Sequence, residues 1–438
     1  MSSAVEYARE EAWRWLRELR PAGIQLGLDR ALTVLERLGS PHENLPAVTI
    51  AGTNGKGSTA VFTAQIAHSA GYRVGLYTSP HLLHVTERIR IGNLPIDRDD
   101  LARLAFDVRC AADGQGGQPA VPLTYFEALT IVALLYFRER EVDLAILEVG
   151  LGGRFDATAV VDPTVAVLTS IGLDHQEFLG TDLESICREK AGIIRRGSTV
   201  VTGVRSRLFK SVVGPRAFDL RCPIRRAGVD FMWQWLDTGF RYRGWIHRVG
   251  PTRLGLQGIH QGHNAALACA TIESLAARGF AFKPVHVFEG LQRARHPGRL
   301  DRREACIDRH GRRWPAVLLD GAHNPQAVEL LARQLNVFLP ERPRAVVFAA
   351  KADKNYERML AMLGRHADVV VLTQLSDVMG HGLDEMRYTA QQHCPHVLAD
   401  PSVERALEVA RRTVGPTGGM VVTGSLYLIA DTLAELDC

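Results

Sequence analysis

Apolar and polar positions alternate along this chain in two distinct periods. Trp13, Leu16 and Leu19, then Leu28, Ala31, Leu32, Leu35 and Leu38, recur at helical spacing and are broken by Pro21, Gly23 and Gly27, so two helices are expected ahead of the first strand. Short apolar, β-branched runs follow at 47–51, 74–77, 144–149, 165–169 and 199–201, with helical patterns at 58–70, 126–137 and 183–194 between several of them. Strands alternating with helices predict a largely parallel sheet covered on both faces. After Gln292 the pattern changes: Arg293, Arg295, Arg299, Arg302, Arg303, Arg309, Arg312 and Arg313 crowd around Pro297 and Gly298. A linker is expected there, dividing the chain into 1–295 and 296–438. Beyond it the alternation restarts, with strands at 316–319, 345–348, 369–372 and 420–423 and helices at 326–335 and 403–412, which predicts a second, smaller α/β domain. The arginines read either as a solvated face or as a phosphate-facing hinge.

Composition narrows the classes of function. With 438 residues, 46% hydrophobic and 23% charged, the chain has the composition of an ordinary globular protein. Its formal net charge of +4 is too small for nonspecific attachment to a polyanion, so no nucleic-acid partner is expected. The longest apolar stretches, such as 131–137, fall short of the ~20 residues that cross a bilayer. The acidic start lacks the basic flank and apolar centre of an export signal, so a cytoplasmic protein without a membrane partner is expected. Seven scattered cysteines, none in a Cys-x-x-Cys pair, read as reduced thiols.

The strongest local chemistry is the run Gly52-Thr53-Asn54-Gly55-Lys56-Gly57-Ser58, between an apolar strand and a helical pattern. Glycines let the backbone turn and aim several N–H groups at one anion, the helix start adds a positive dipole end, and Lys56 adds a full charge. Such a loop cradles nucleotide phosphates, with Ser58 in reach of a Mg²⁺ held on them. The strict Walker pattern is not met, because Ile50 stands at its first glycine and Gly57 separates Lys56 from Ser58.

Further polar groups fall at the carboxyl ends of expected strands, where open parallel sheets place their ligands. These are Thr78-Ser79-Pro80-His81, Glu148, and Asp174-His175. Each has an ordinary structural reading: turn chemistry for Ser79, a capping acid for Glu148, a loop histidine for His175. Together they can converge beside the phosphate loop. By pattern alone Lys190 is one charge on an amphipathic helix. Asn264 either caps a helix or bonds an adenine edge. Asp320 to Pro325 is a turn running into a helix start.

These segments together resemble the folylpolyglutamate synthase and dihydrofolate synthase family of the Mur-type amide ligases. The resemblance spans Gly27 to Arg30, the phosphate loop, Thr78 to Leu82 with Thr86-Glu87-Arg88, Glu148 to Thr158, Ile171 to His175, Glu189 to Gly192, His260-Gln261 with Asn264, Gly298-Arg299, Asp320 to Pro325, and Gly424 to Tyr427. It implies a two-domain Mur-ligase-like α/β architecture, with an N-terminal P-loop NTPase-type parallel sheet and a smaller C-terminal Rossmann-like domain for glutamate ligation. It also implies that Gly52 to Ser58 bind ATP phosphates, and that Asn264, Arg299, Asp320 and His323 complete the ATP site. Mg²⁺, two ions, would be held by Ser58, Ser79, Glu148, His175 and a carbamylated Lys190, and Lys56, Glu148, His175 and Lys190 would be the catalytic group.

The implied reaction joins L-glutamate to dihydropteroate, and to tetrahydrofolate derivatives, through an acyl phosphate, in a monomer. Leu123, Thr124, Tyr125 and Phe126, with Phe155, Asp156 and Ala157, look like the dihydropteroate-binding segments of bifunctional members. Ala159 departs from the usual Asn, and Phe155 from the usual Leu. The alternatives are a monofunctional folylpolyglutamate synthase, a ligase for a cell-wall or amino-acid polymer precursor, and a nucleotide-hydrolysing regulatory module. The second would need a UDP-binding domain, and few residues precede Gly52.

Overall fold

The computed structural model describes residues 2–19, 25–114, 116–308, 310–376 and 378–436. Pro21, Gly23, Arg309 and Cys438 lie outside them. The chain divides into two compact units, residues 1–255 with 261–295, and residues 256–260 with 296–438.

The first unit opens with the helices Ser2–Leu19 and Asp29–Arg37. Its sheet holds β1 (Ala47–Ala51), β2 (Val74–Tyr77), β3 (Ile89–Ile91), β4 (Leu94–Pro95), β5 (Leu144–Glu148), β6 (Val165–Leu168), β7 (Thr199–Thr202) and β8 (Ile224–Arg226), in the order β4-β3-β2-β5-β1-β6-β7-β8. From β2 to β8 every neighbouring pair is parallel, and β3 and β4 add an antiparallel edge. β1, β2, β5 and β6 are buried along their whole length, as parallel strands covered on both faces must be. A separate antiparallel sheet of β9 (Met232–Leu236), β10 (Gly239–Arg243) and β11 (Arg248–Thr252) follows. Its strands alternate or are half exposed, so they lack the continuous apolar run that marks the others.

The second unit holds β12 (Asp301–Arg303), the small ladder of β13 (Cys306–Ile307) and β14 (Arg313–Trp314), then β15 (Ala316–Asp320), β16 (Arg344–Phe348), β17 (Val369–Leu372), β18 (Val397–Ala399) and β19 (Gly419–Thr423). Its main sheet has the order β12-β15-β19-β16-β17-β18, parallel except at the β12 edge. The helices Pro325–Phe338 and Val403–Val414 stand where the periodicity places them, and the helix Leu183–Ala191 stops short of the expected residue 194, with Gly192 at its C-cap.

Several of the linker arginines form ion pairs. Arg302 meets Glu304 and Glu341, Arg303 meets Asp301, and Arg312 meets Asp308. The expectation of seven free thiols is corrected: Cys110, Cys187, Cys222, Cys269 and Cys394 are free, but Cys306 is disulfide-bonded. Disulfide formation depends on proximity in space, which sequence spacing does not report.

Candidate active site

Four adjacent strands, β2, β5, β1 and β6, deliver the polar groups to one edge of the first sheet. Ile50 of β1 stands beside Glu148 of β5, Tyr77 of β2 beside Leu147, and Ala51 of β1 beside Leu168 of β6. The loops leaving β2, β1 and β6, and Glu148 at the end of β5, therefore emerge side by side. Ser79 N–H donates to Glu148 Oε2 at 3.1 Å, which joins two of the expected ligands directly.

The loop after β1 is tied down by its neighbour after β6. Thr53 N–H donates to the Ser170 carbonyl (2.7 Å), Asn54 N–H to Ser170 Oγ (3.2 Å), and Thr169 Oγ1–H to the Asn54 carbonyl (2.8 Å). Gly52 has φ +155°, and a Cβ there would sit 1.9 Å from Thr169 Oγ1, so only glycine fits. Gly55, at φ +88°, caps the helix Lys56–Ser69. Lys56 Nζ donates to the carbonyls of Gly52 (3.2 Å) and Thr53 (3.3 Å) and so folds back over its own loop. Ser58 Oγ accepts from Gln261 Nε2 at 3.4 Å, and Gln261 Oε1 accepts from Asn264 Nδ2 at 2.9 Å. The start of the helix Gln261–Ala276 is thus part of the phosphate-loop environment.

His175 caps a short helix in a left-handed conformation, φ +51°, which is uncommon outside glycine and favoured at functional sites. Its backbone N–H donates to Asp174 Oδ1 at 3.0 Å. Lys190 is only 4% exposed. Burial, and then the positive charge of Lys56, push its amine down to about 7, while Asp174 and Asp156 pull the other way. The residue that sequence pattern makes a helix-face charge is therefore a buried amine next to the phosphate loop. Backbone packing places it there: Arg154 N–H donates to the Glu189 carbonyl at 3.0 Å, and a Cβ on Gly153 would meet the Lys190 carbonyl at 2.8 Å.

The Leu123–Phe126 segment starts the helix Tyr125–Glu139 with a capping box, in which Thr124 N–H donates to Glu127 Oε2 (2.7 Å) and Glu127 N–H to Thr124 Oγ1 (3.3 Å). Sequence reasoning gave no role to Arg30, which pairs with the same carboxylate at 2.9 Å. Phe126 packs on Tyr77, ring centroids 5.8 Å apart, and lies against Gly150, where a Cβ would come within 2.7 Å of the ring. Asp156 is buried, with its carboxyl raised by burial against hydrogen bonds from Leu151 N–H and Thr158. Ala157 is buried beside it, and Phe155 is partly exposed.

In the second unit, Asp320 ends β15 and accepts from the N–H groups of Leu300 (2.8 Å) and Ala322 (2.9 Å). Burial raises its carboxyl, and Arg299 opposes that shift. Arg299 donates to the Gly321 carbonyl at 3.3 Å, and His323 Nδ1 lies 2.8 Å from the same oxygen. Arg299, Asp320 and His323 thus form one cluster around a single turn, and Asn324 caps the following helix.

The Ser58 and Ser79 hydroxyls and the Glu148 carboxylate are hard-oxygen groups suited to Mg²⁺ completed by phosphate and water, whereas the His175 imidazole is an uncommon ligand for that ion. Among the described residues no three His, Cys, Asp or Glu side chains gather in a way that could hold a metal by themselves.

A parallel sheet with a glycine-rich phosphate loop and flanking polar strand ends defines a P-loop type of nucleotide-binding domain, and the family matches make it that of an ATP-dependent ligase of the Mur type. Residues 50–207 match the Mur ligase middle domain, and residues 305–435 match the dihydrofolate synthetase C-terminal domain. The chain is 34% identical over 440 residues to the dihydrofolate synthase/folylpolyglutamate synthase of Bacillus subtilis, covering 98% of this chain and 99% of that one. It superposes on E. coli FolC in complex with DHPP and ADP with a TM-score of 0.85, at 32% identity and 97% of each chain. It also superposes on a bifunctional folylpolyglutamate synthase/dihydrofolate synthase with Mn, AMPPNP and L-glutamate bound, with a TM-score of 0.82, 31% identity and 98% of each chain. The chain belongs to the dihydrofolate synthase/folylpolyglutamate synthase family.

Proposed function

We propose that this enzyme joins L-glutamate to dihydropteroate and, in a second activity, to tetrahydrofolate derivatives, using ATP and Mg²⁺. The observation that carries the reading is the convergence of the β2, β5, β1 and β6 loops on one sheet edge, with Ser79 bonded to Glu148 beside the phosphate loop. Gly52 to Ser58 bind the ATP phosphates, aided by Asn264, and Arg299, Asp320 and His323 of the second unit are nucleotide-binding residues in this reading. Residues 1–295 act as the ATP-binding domain and 296–438 as the glutamate-ligating domain. Ser58, Ser79, Glu148, His175 and a carbamylated Lys190 would hold two Mg²⁺ ions.

A carboxylate is a poor electrophile. Attack of its oxygen on the γ-phosphorus breaks the bond to ADP and leaves an acyl phosphate, whose carbonyl the glutamate amine then attacks, releasing phosphate and a proton. Lys56 and the loop N–H groups stabilise charge on the transferring phosphoryl group. Bound Mg²⁺ supplies further charge neutralisation there. Leu123 to Phe126 and Phe155 to Ala157 receive the pterin acid. Lys190, whose amine burial pushes down to about 7, has a substantial neutral fraction near neutral pH and is able to attack CO₂ through its lone pair and lose a proton, giving a carbamate with oxygen donors. Labelled bicarbonate giving a carbamate carbon signal that disappears in Lys190→Ala would support this modification.

The enzyme is proposed to act as a cytoplasmic monomer on small molecules, without nucleic acid or membrane. Among the described residues no helix is long and apolar enough to cross a membrane. The deciding assay gives the purified protein L-glutamate, ATP and Mg²⁺ with dihydropteroate or with tetrahydrofolate, side by side. Phosphate release that requires an acceptor supports ligation, and release with tetrahydrofolate alone leaves the monofunctional enzyme. Acceptor-independent hydrolysis with no amide product overturns the reading. Lys56→Ala is expected to abolish turnover with the fold retained.

A further inference from the structure

Arg88 lies in the first unit beside the proposed acceptor segment, and the reaction described above leaves it without a task. It is 8% exposed, yet its guanidinium has few partners. Nε donates to His81 Nδ1 at 2.8 Å, and the guanidinium carbon stands 5.6 Å from the centre of the Tyr125 ring. No described carboxylate pairs with it, and its two terminal nitrogens make no hydrogen bond to the described residues. A buried cation without a counter-ion is costly, and proteins rarely keep one without use. The cost is repaid when a planar anion binds, because the two terminal nitrogens match a carboxylate edge-on.

Its surroundings fix which anion. The Arg88 carbonyl accepts from Thr78 N–H at 2.9 Å, so Arg88 is anchored next to Ser79, whose own N–H bonds Glu148. On its other side Tyr125 and Phe126 close the Leu123–Phe126 segment that the proposed function gives to the pterin acid. An aromatic acid lying along Tyr125 and Phe126 would bring its carboxyl end to Arg88, beside the Ser79–Glu148 pair.

We propose that Arg88 is the residue that recognises the carboxylate of dihydropteroate and orients it for phosphorylation. This rests on the function proposed above. Arg88 holds one edge of the carboxylate, leaving the free lone pair of an oxygen to attack the γ-phosphorus as the bond to ADP breaks. The Tyr125 ring, 5.6 Å from the guanidinium carbon, holds it beside the aromatic end of the acceptor.

The test compares dihydropteroate with its carboxamide, which keeps the shape and loses the charge, by calorimetric titration of the wild-type protein, Arg88→Gln and Arg88→Lys with ADP and Mg²⁺ present. Wild type should prefer the acid. Arg88→Gln should weaken acid binding by roughly 10- to 100-fold, the range for a charge-assisted hydrogen bond, and leave the carboxamide within about 3-fold. Arg88→Lys should recover part of the preference, and ADP affinity should not move in either variant. Equal wild-type affinity for acid and carboxamide overturns the inference whatever the variants do, and so does an Arg88→Gln that weakens both ligands alike, which would mark a structural arginine. A wild type that forms no amide from any pterin acceptor overturns the functional reading instead, and this inference with it.

Discussion

Asn264 fills the space beside Gly55: a Cβ built on Gly55 would come within 2.3 Å of Asn264 Oδ1. The glycine also has φ +88°, so two independent constraints meet in the phosphate loop. Gly55→Ala is expected to displace Asn264 and distort the loop, lowering ATP affinity by at least an order of magnitude with little change in helix content. Fluorescent-nucleotide titration beside circular dichroism checks this, and wild-type affinity would contradict it.

Gly150 makes the corresponding allowance for Phe126. In Gly150→Ala the new methyl would overlap the ring, which must turn away from Tyr77. The expected result is a raised KM for the pterin acceptor, several-fold or more, with the KM for ATP nearly unchanged. Steady-state kinetics with each substrate varied in turn distinguishes this from a general loss of activity.

Arg30 and Glu127 are 97 residues apart in sequence and form an ion pair with one buried member. Removing the arginine leaves the carboxylate with the Thr124 N–H but without its charge partner. Arg30→Ala should lower stability by about 1–3 kcal/mol in urea unfolding. Arg30→Ala/Glu127→Gln should recover part of that loss, since no unpaired charge remains buried.

Lys190 gives a pH dependence with a definite sign. Its amine titrates near 7 in the folded protein against an ordinary value of 10.5. Between those values the unfolded chain holds a proton that the native state has released, so native stability rises with pH, by at most about 1.4 kcal/mol per pH unit. Below about pH 7 both states are protonated and the contribution is flat. In CO₂-free buffer the wild type should therefore gain stability relative to Lys190→Met between pH 7 and 10. Parallel urea curves for the two proteins across that range would contradict it.

The phosphate loop was legible in the sequence because its chemistry is local: glycines, a lysine and a helix start lie within seven consecutive residues. The buried strands of both sheets were legible for a similar reason, since burial on both faces writes a continuous apolar run. β9 to β11 and the edge strands β3, β4 and β12 were not, because half-exposed pairs carry no such run. Glu148 and His175 could be placed at strand ends converging on the phosphate loop, and the resemblance sharpened that into a role as metal ligands.

What the amino-acid order determined by itself was where the chain turns, which runs are buried, and which glycine-rich loop opens a helix after the first strand. The tertiary structure alone decided that Lys190 is buried near Lys56, that Arg30 answers Glu127, and that Arg88 faces Tyr125 with no carboxylate paired to it among the described residues. The physical reason is that hydrophobic periodicity and backbone conformation are set by neighbours in sequence, whereas desolvation and charge pairing are set by neighbours in space.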